Sequence, residues 1–369
     1  MQKQIGAPAV RSGAPGRRHG QRHDPIIEIQ GLVKRYRGAV AVDGIDLSVH
    51  GGEIFGILGP NGAGKTTTLE MIEGLREPDE GTIHVAGIDA VRDSDAVRRL
   101  IGVQLQTTAL FPYLTARELI ALFGNFYGVP DPAGRVDELL GLVDLQAKEG
   151  ARVDELSGGQ KQRLSIALAL VNEPKVTFLD EPTTGLDPHA RRSLWGAIEG
   201  VRAAGTTVVL TTHYMEEAEV LCDRVAIMDR GAIIACDTPA ALTRGLGMEA
   251  VVGAVLTDGD LPDTALNALP GVVAVDRVTE TPPRFSLRTS DAQATIVGLL
   301  DLARHSNATL TDLSSSRASL EDVFLSLTGR HYEGEAPTAG QEGDTNETVL
   351  PKEPRRGWFR RRGPGDGGA

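Results

Sequence analysis

Residues Gly59 to Thr66 read Gly-Pro-Asn-Gly-Ala-Gly-Lys-Thr, between an apolar run, Ile54–Leu58, and a helical pattern, Lys65–Leu75. No other feature constrains the fold as much. A strand must end here, the chain must turn on glycines, and a helix must begin with its N-terminus open. The pattern G-x-x-x-x-G-K-[ST] in a strand–loop–helix context is a phosphate-binding loop. Its glycines let backbone N–H groups turn inward around phosphate oxygens, and the helix N-terminus adds positive potential. Lys65 is expected to reach the β- and γ-phosphates, and the Thr66 hydroxyl to hold Mg²⁺. Gly59, Pro60, Asn61, Gly62, Ala63, Gly64, Lys65, Thr66 and Thr67 are therefore the nucleotide-binding candidates. The loop alone does not decide between adenine and guanine.

Strand-like and helical segments alternate around this loop. Strands are expected at Ile26–Ile29, Ala41–Val49, Glu53–Leu58, Thr82–Val85, Ile101–Leu105, Val176–Leu179 and Thr207–Leu210. Helical patterns cover Thr115 to Leu142, interrupted by Val129-Pro130-Asp131-Pro132, then Gly158–Val171 and His189–Ala204. Alternation with wholly apolar strands argues an α/β fold whose parallel sheet is covered on both faces. Arg224–Met228 and Ala232–Cys236 read as a hairpin around Arg230-Gly231. One apolar strand ends in two acids, Val176-Thr-Phe-Leu-Asp180-Glu181. A buried strand needs paired carboxylates only for chemistry or for a cap. Asp180 is read as a Mg²⁺ ligand. Glu181 is read as the group that faces the γ-phosphate and orients or deprotonates the attacking water, since phosphoryl transfer asks mainly for positioning and charge neutralisation.

Composition narrows the class. The 369 residues carry 38 basic and 50 acidic side chains, a net charge of -12, and the part between about residues 26 and 330 is near -15. Nucleic-acid binding, which favours a basic domain, loses ground, and no nucleic-acid partner is expected. Two cysteines build no disulfide framework and fit a reducing cytosol. No apolar run approaches the ~18 residues of a membrane helix. Residues 1–25 and 331–369 lack periodicity and read as disordered ends. Within the second, Arg355-Arg-Gly-Trp358-Phe-Arg-Arg-Arg362 reads as a solvated tail whose bases and Trp358 could meet an anionic membrane surface.

Leu156-Ser157-Gly158-Gly159-Gln160 precedes the helical run Lys161–Val171. A serine and two glycines at a helix start form another anion site. With these three motifs in this order and spacing, the sequence from about Ile26 to Ala240 resembles the ATP-binding subunit of ABC (ATP-binding cassette) transporters. The resemblance implies a P-loop NTPase cassette with a mainly parallel sheet, an antiparallel β subdomain and a helical subdomain at about 107–172. Carried over residue by residue, it places Tyr36 on adenine, which favours ATP. It places Gln106 on Mg²⁺ and water, Gly185-Leu186-Asp187 at a dimer interface, and His213 beside the γ-phosphate as a switch. It implies two cassettes associated head to tail, each ATP lying between the glycine loop of one copy and Ser157, Gly158, Gly159 and Gln160 of the other. Lys65, Glu181 and His213 are then the catalytic set, and Thr66, Gln106 and Asp180 the metal set.

Gly59 and Ser157 are 98 positions apart with no sustained heptads, unlike the coiled-coil repair ATPases of the family. A single cassette is also unlike the ribosome-associated members. Thr211-Thr-His213-Tyr-Met-Glu-Glu-Ala-Glu219 and Ser319-Leu-Glu-Asp-Val-Phe-Leu-Ser-Leu-Thr-Gly329 resemble daunorubicin-resistance exporters. That type implies a small α+β C-terminal domain, here 247–330, after a cassette at 26–240. It implies a homodimer on an integral membrane permease, at the cytoplasmic face, driving efflux of a drug, lipid or similar amphiphile. The competing readings are a soluble regulatory ATPase and an importer cassette.

Overall fold

The computed structural model describes residues 25–104, 110–247, 250–278 and 282–329. Both chain ends, with the basic Trp358 segment, and Gln106 lie outside the described residues. Strands β1 (Pro25–Tyr36) and β2 (Ala39–His50) form an antiparallel pair, longer than the apolar runs alone indicate. Next come β3 (Ile54–Leu58), helix α1 (Lys65–Ile72), β4 (Glu80–Val85) and β5 (Ile88–Asp89). The order β2-β1-β4-β5 makes a four-stranded antiparallel sheet. Helix α1 stops short of Leu75 because Gly74 adopts φ 69, a left-handed turn that ends the ladder.

Helix α2 (Ser94–Leu100) leads into β6 (Ile101–Gln104). Three helices follow: α3 (Ala116–Tyr127), α4 (Pro132–Leu142) and α5 (Gly158–Ala169). The Pro130 region separates α3 from α4, as its missing amides require. The chain then alternates through β7 (Val176–Asp180), α6 (Pro188–Ala203), β8 (Thr207–Thr212), α7 (Met215–Leu221), β9 (Arg224–Asp229) and β10 (Ala232–Asp237). These strands and β3 build a six-stranded sheet in the order β10-β9-β3-β8-β7-β6. All its neighbours are parallel except β10, which pairs antiparallel with β9. Arg230 and Gly231, at φ 49 and 85, make the tight turn of that hairpin.

The central strands are buried on both faces, and their side chains alternate between two cores. Phe55, Ile57, Phe178 and Val209 point to a cluster shared with β1, β2, β4 and α1. Ile54, Leu58, Leu179, Val208 and Leu210 point to a second cluster, shared with α3 to α7. A period of two inside an all-apolar strand is what a two-sided parallel sheet demands.

After α8 (Pro239–Gly245) the chain enters a separate sheet. It comprises β11 (Ala250–Asp258), α9 (Asp263–Leu266), β12 (Val272–Val278), β13 (Arg284–Thr289), α10 (Ala292–His305) and β14 (Thr309–Arg317). The strand order β12-β13-β11-β14, all antiparallel, is a βαββαβ arrangement. Its core holds Val252, Leu256, Phe285, Leu287 and Leu299. The last helix, α11 (Leu320–Thr328), turns back: Leu320, Val323 and Phe324 are buried in the cluster of α3 to α7. The Leu320 amide donates to Glu219 Oε1 on α7 at 2.5 Å.

Candidate nucleotide-hydrolysis site

Strand β3 delivers the glycine loop to the C-terminal edge of the parallel sheet, where ligands of such sheets sit. Two glycines there are dictated by close packing. A Cβ on Gly59 would lie 2.2 Å from the Met228 carbonyl oxygen, and one on Gly64 2.3 Å from that of Ala41. Gly64 also stands at φ 105 and caps α1 without any side chain. The amides of the first helical turn have no intrahelical acceptor, and no capping oxygen takes them. Asn61, Gly62 and Thr66 are exposed, Pro60, Gly64 and Thr67 half-buried, and Gly59 and Ala63 buried. The loop is thus an open ring of donors on a rigid base, which suits a polyphosphate.

Lys65 is only 4% exposed. Its ammonium donates to the carbonyls of Gly59 at 2.8 Å and Pro60 at 3.3 Å, and it lies 3.3 Å from Glu181 Oε1. Burial pulls its pKa down, against the pull of Glu181 and Asp180. Asp180 ends β7 at 6% exposure. Both of its carboxylate oxygens are within 3.2–3.3 Å of Thr66 Oγ1. An anionic carboxylate and a hydroxyl so close together are the hard oxygen donors that Mg²⁺ takes.

Glu181 follows at φ 47, a left-handed backbone unusual for a side chain of this size. Its amide donates to Thr211 Oγ1 at 2.9 Å, and Thr184 Oγ1 donates to its Oε2 at 3.2 Å. His213, just past β8, brings Nδ1 to 3.1 Å from Oε2 as a close contact without a directed hydrogen bond. His213, and then Lys65, hold the Glu181 carboxyl down to about 2, although burial opposes them. Glu181 is thus a carboxylate held between two nitrogen groups, aimed at the mouth of the glycine loop.

Thr211 is the residue that sequence reasoning did not single out. Its hydroxyl donates to Asp180 Oδ1 at 2.5 Å and accepts from the Glu181 amide. The parallel register pairs Asp180 with Thr211 across β7 and β8. Its one signal in the sequence is a pair of threonines ending an otherwise apolar strand.

Lys65, Thr66, Asp180, Glu181 and His213 therefore converge, while other candidates stand apart. Ser157 caps α5 and exchanges hydrogen bonds with Gln160: the Gln160 amide donates to Ser157 Oγ at 3.3 Å, and the Ser157 amide to Gln160 Oε1 at 2.9 Å. Ser157 and Gly158 are exposed and make no hydrogen bond to the glycine loop of their own chain. A Cβ on Gly158 would meet open space, and one on Gly159 would stand 3.1 Å from Ala190. Tyr36 ends β1 at 43% exposure, with the Arg76 guanidinium 5.5 Å from its ring. Asp187 caps α6 by accepting the amides of His189 and Ala190, and Gly185 stands at φ 76.

Residues 42–184 match the family model described as ABC transporter. The chain is 41% identical over 310 residues to "Nod factor export ATP-binding protein I" of Ralstonia nicotianae, covering 83% of this chain and 94% of that protein. It is 39% identical over 310 residues to "Daunorubicin resistance ATP-binding protein DrrA3" of Streptomyces coeruleorubidus, covering 83% and 96%. Among solved structures it is similar to an ATP binding subunit of an ABC transporter, with TM-score 0.54, 30% identity and coverage of 60% and 93%. It is also similar to a dimeric ATP-binding cassette in a post-hydrolysis state bound to ADP and Pi, with TM-score 0.52, 28% identity and coverage of 57% and 98%.

Proposed function

The chain belongs to the ABC transporter family, as an ATP-binding, ATP-hydrolysing subunit akin to exporter cassettes, and from that premise we propose how its residues divide the work and what they drive. Two copies close head to tail on a separate integral membrane permease, and closure powers efflux of an amphiphilic molecule. The names of the export and resistance relatives support the direction. Among the described residues no helix is long and apolar enough to cross a membrane, which agrees with a path for cargo supplied by another chain.

The observation that carries this reading is the convergence of Lys65, Glu181 and His213 on one rim, with the Ser157 corner left facing outward. In the proposed division of roles, the loop from Gly59 to Thr67 binds the phosphates of ATP. Lys65 gives up its carbonyl partners to follow the γ-phosphate. Glu181, kept ionised by its neighbours, orients the attacking water and accepts its proton. His213 sets the position of that carboxylate. Thr66 and Asp180 would hold Mg²⁺, with Gln106 added by resemblance, and the ion would neutralise charge on the phosphate oxygens. Ser157, Gly158, Gly159 and Gln160 of a second copy would close over the γ-phosphate, and Tyr36 would pack on the adenine ring.

Glu181→Gln tests the reading. It keeps shape and hydrogen bonding but removes the base. ATP binding is expected to persist, phosphate release to fall by about 10²-fold or more, and a dimer to accumulate with ATP in size-exclusion chromatography. Turnover at the parent rate would refute the assignment. Co-purification with a membrane protein encoded by an adjacent gene tests the coupling to a permease.

A further inference from the structure

Helix α8 ends the cassette, and β11 begins the second sheet a few residues later. Between them lies a concavity of about 520 Å³, walled by Thr243 and Arg244 on one side and by Ala250, Ser315, Arg317 and Ala292 on the other. The register Ala250↔Arg317 and Val252↔Ser315 puts Ser315 and Arg317 on the face that carries Val252, the face covered by α10. At that end of the sheet Thr295 of α10 is buried against Thr289, and beyond it only Ala292 of α10 borders the opening. Arg317 and Ser315 project into the opening, and Arg244 closes it from α8.

Two arginines and no carboxylate line this opening among the described residues. Several surface arginines hold carboxylates, as Arg76 does with Glu70, Arg117 with Glu149, Arg163 with Asp144 and Arg202 with Asp223. Arg244 and Arg317 have no such partner among the described residues, although the chain carries a net charge of -12. The Ser315 hydroxyl is likewise free to donate. Thr243 Oγ1 donates to the carbonyls of Pro239 and Ala240 and serves as a wall. The acid that heads α10, Asp291, already accepts the Ala294 amide at 3.0 Å.

We propose that this concavity binds a phosphate monoester dianion, gripped by the guanidinium groups of Arg244 and Arg317 and by the Ser315 hydroxyl. A tetrahedral phosphate offers enough acceptor oxygens for two planar forks and a hydroxyl at once, which a single carboxylate does not. The volume exceeds what the bare ion fills, leaving room for the ester substituent. The bound group ties the end of the cassette to the second sheet. Its effect on turnover would pass through Ala318 and Ser319 into α11, which is embedded beside α7. The site is separate from the glycine loop and stands whether or not the hydrolysis roles above are correct.

The test uses the full chain carrying Lys65→Ala, which weakens phosphate binding at the glycine loop. Inorganic phosphate is titrated by calorimetry, with no hydrolysis in the readout. Saturable binding is expected, weakened about tenfold or more by Arg317→Ala or Arg244→Ala and partly recovered by Arg317→Lys. A second arm replaces phosphate with vesicles of phosphatidylcholine, with and without phosphatidic acid. Arginine-dependent binding to the phosphatidic acid vesicles alone identifies a lipid headgroup as the ligand, and arginine-dependent binding to free phosphate identifies a soluble one. Both arginines are exposed, so the variants are expected to keep the parent's circular dichroism. Equal phosphate affinity in the parent and in the Arg244→Ala/Arg317→Ala chain overturns the proposal, as does failure of both probes to bind.

Discussion

Nζ of Lys65 stands 3.3 Å from Oε1 of Glu181, joining the phosphate-binding helix to the end of β7. The same nitrogen also donates to two loop carbonyls. The cation thus bridges the loop and the carboxylate. Lys65→Ala is expected to weaken ATP binding by at least about tenfold, read with a fluorescent ATP analogue. Undiminished affinity would mean that the amides of α1 hold the phosphates without it.

The pKa of Glu181, about 2 against an ordinary 4.5, sets a pH window. A carboxyl depressed in the folded state adds stability above its unfolded value and loses it as pH falls through the folded one. The contribution of Glu181 is therefore full above about 4.5 and gone near 2. Urea unfolding of Glu181→Gln is expected to show a flatter pH dependence across that window than the parent. Identical profiles would show that His213 and Lys65 do not hold the carboxylate in solution.

Glu73 makes the opposite case. It is 2% exposed at the end of α1, and burial, with Asp180 and Glu70 nearby, raises its pKa to about 8. An acid raised in the folded state stays protonated there, and the fold loses stability as pH climbs from about 4.5 to about 8. Glu73→Gln removes that penalty. Its Tm relative to the parent is expected to rise steadily across this range. A constant difference would place the ionisation elsewhere.

Thr211 couples two acids through one oxygen. Thr211→Val keeps the shape but orphans the Glu181 amide and leaves Asp180 Oδ1 only its longer contact with Thr66 Oγ1, at a cost of about 1–3 kcal/mol. Thr211→Ser should restore both bonds. Denaturant unfolding checks the energy, and phosphate release checks whether the strained backbone of Glu181 keeps its place. Equal stability of the Val and Ser variants would remove Thr211 from the network.

The outward-facing Ser157 allows a mixing experiment. Ser157→Arg chains and Lys65→Ala chains are each expected to be inactive as homodimers. Mixed together, they can form a dimer with one composite site in which both residues are native. Recovery of ATP hydrolysis on mixing is the expected result. No recovery would mean that the two motifs are not shared between copies.

The motifs that converge were readable because each is local. A glycine loop between a strand and a helix, or two acids ending an apolar strand, announces itself within a few residues. The parallel sheet followed from apolar strands alternating with helices. What stayed hidden depends on neighbours distant in sequence. Thr211 meets Asp180 only because β8 lies beside β7 in that register, and nothing near Glu73 in the chain reveals its burial. Strand β14 does not stand out in the sequence, because its residues are mostly polar and Asp312 at φ 52 breaks the alternation midway. Helix α7 is short and acidic and does not stand out in the sequence, yet Glu217 is fully buried against the indole of Trp195. The amphipathic pattern of α11 marks a helix without saying which surface receives it.

That receiving surface has a practical consequence. Since Leu320, Val323 and Phe324 lie inside the cassette's own interior, the polypeptide departs after α8 and comes home through α11, so the βαββαβ unit is moored at both ends like a handle on a jar. Shortening the protein after α8 would not lift off a passive appendage. It would uncover greasy surface beside the helix that follows His213, so a truncated version would be prone to clump before it could be assayed.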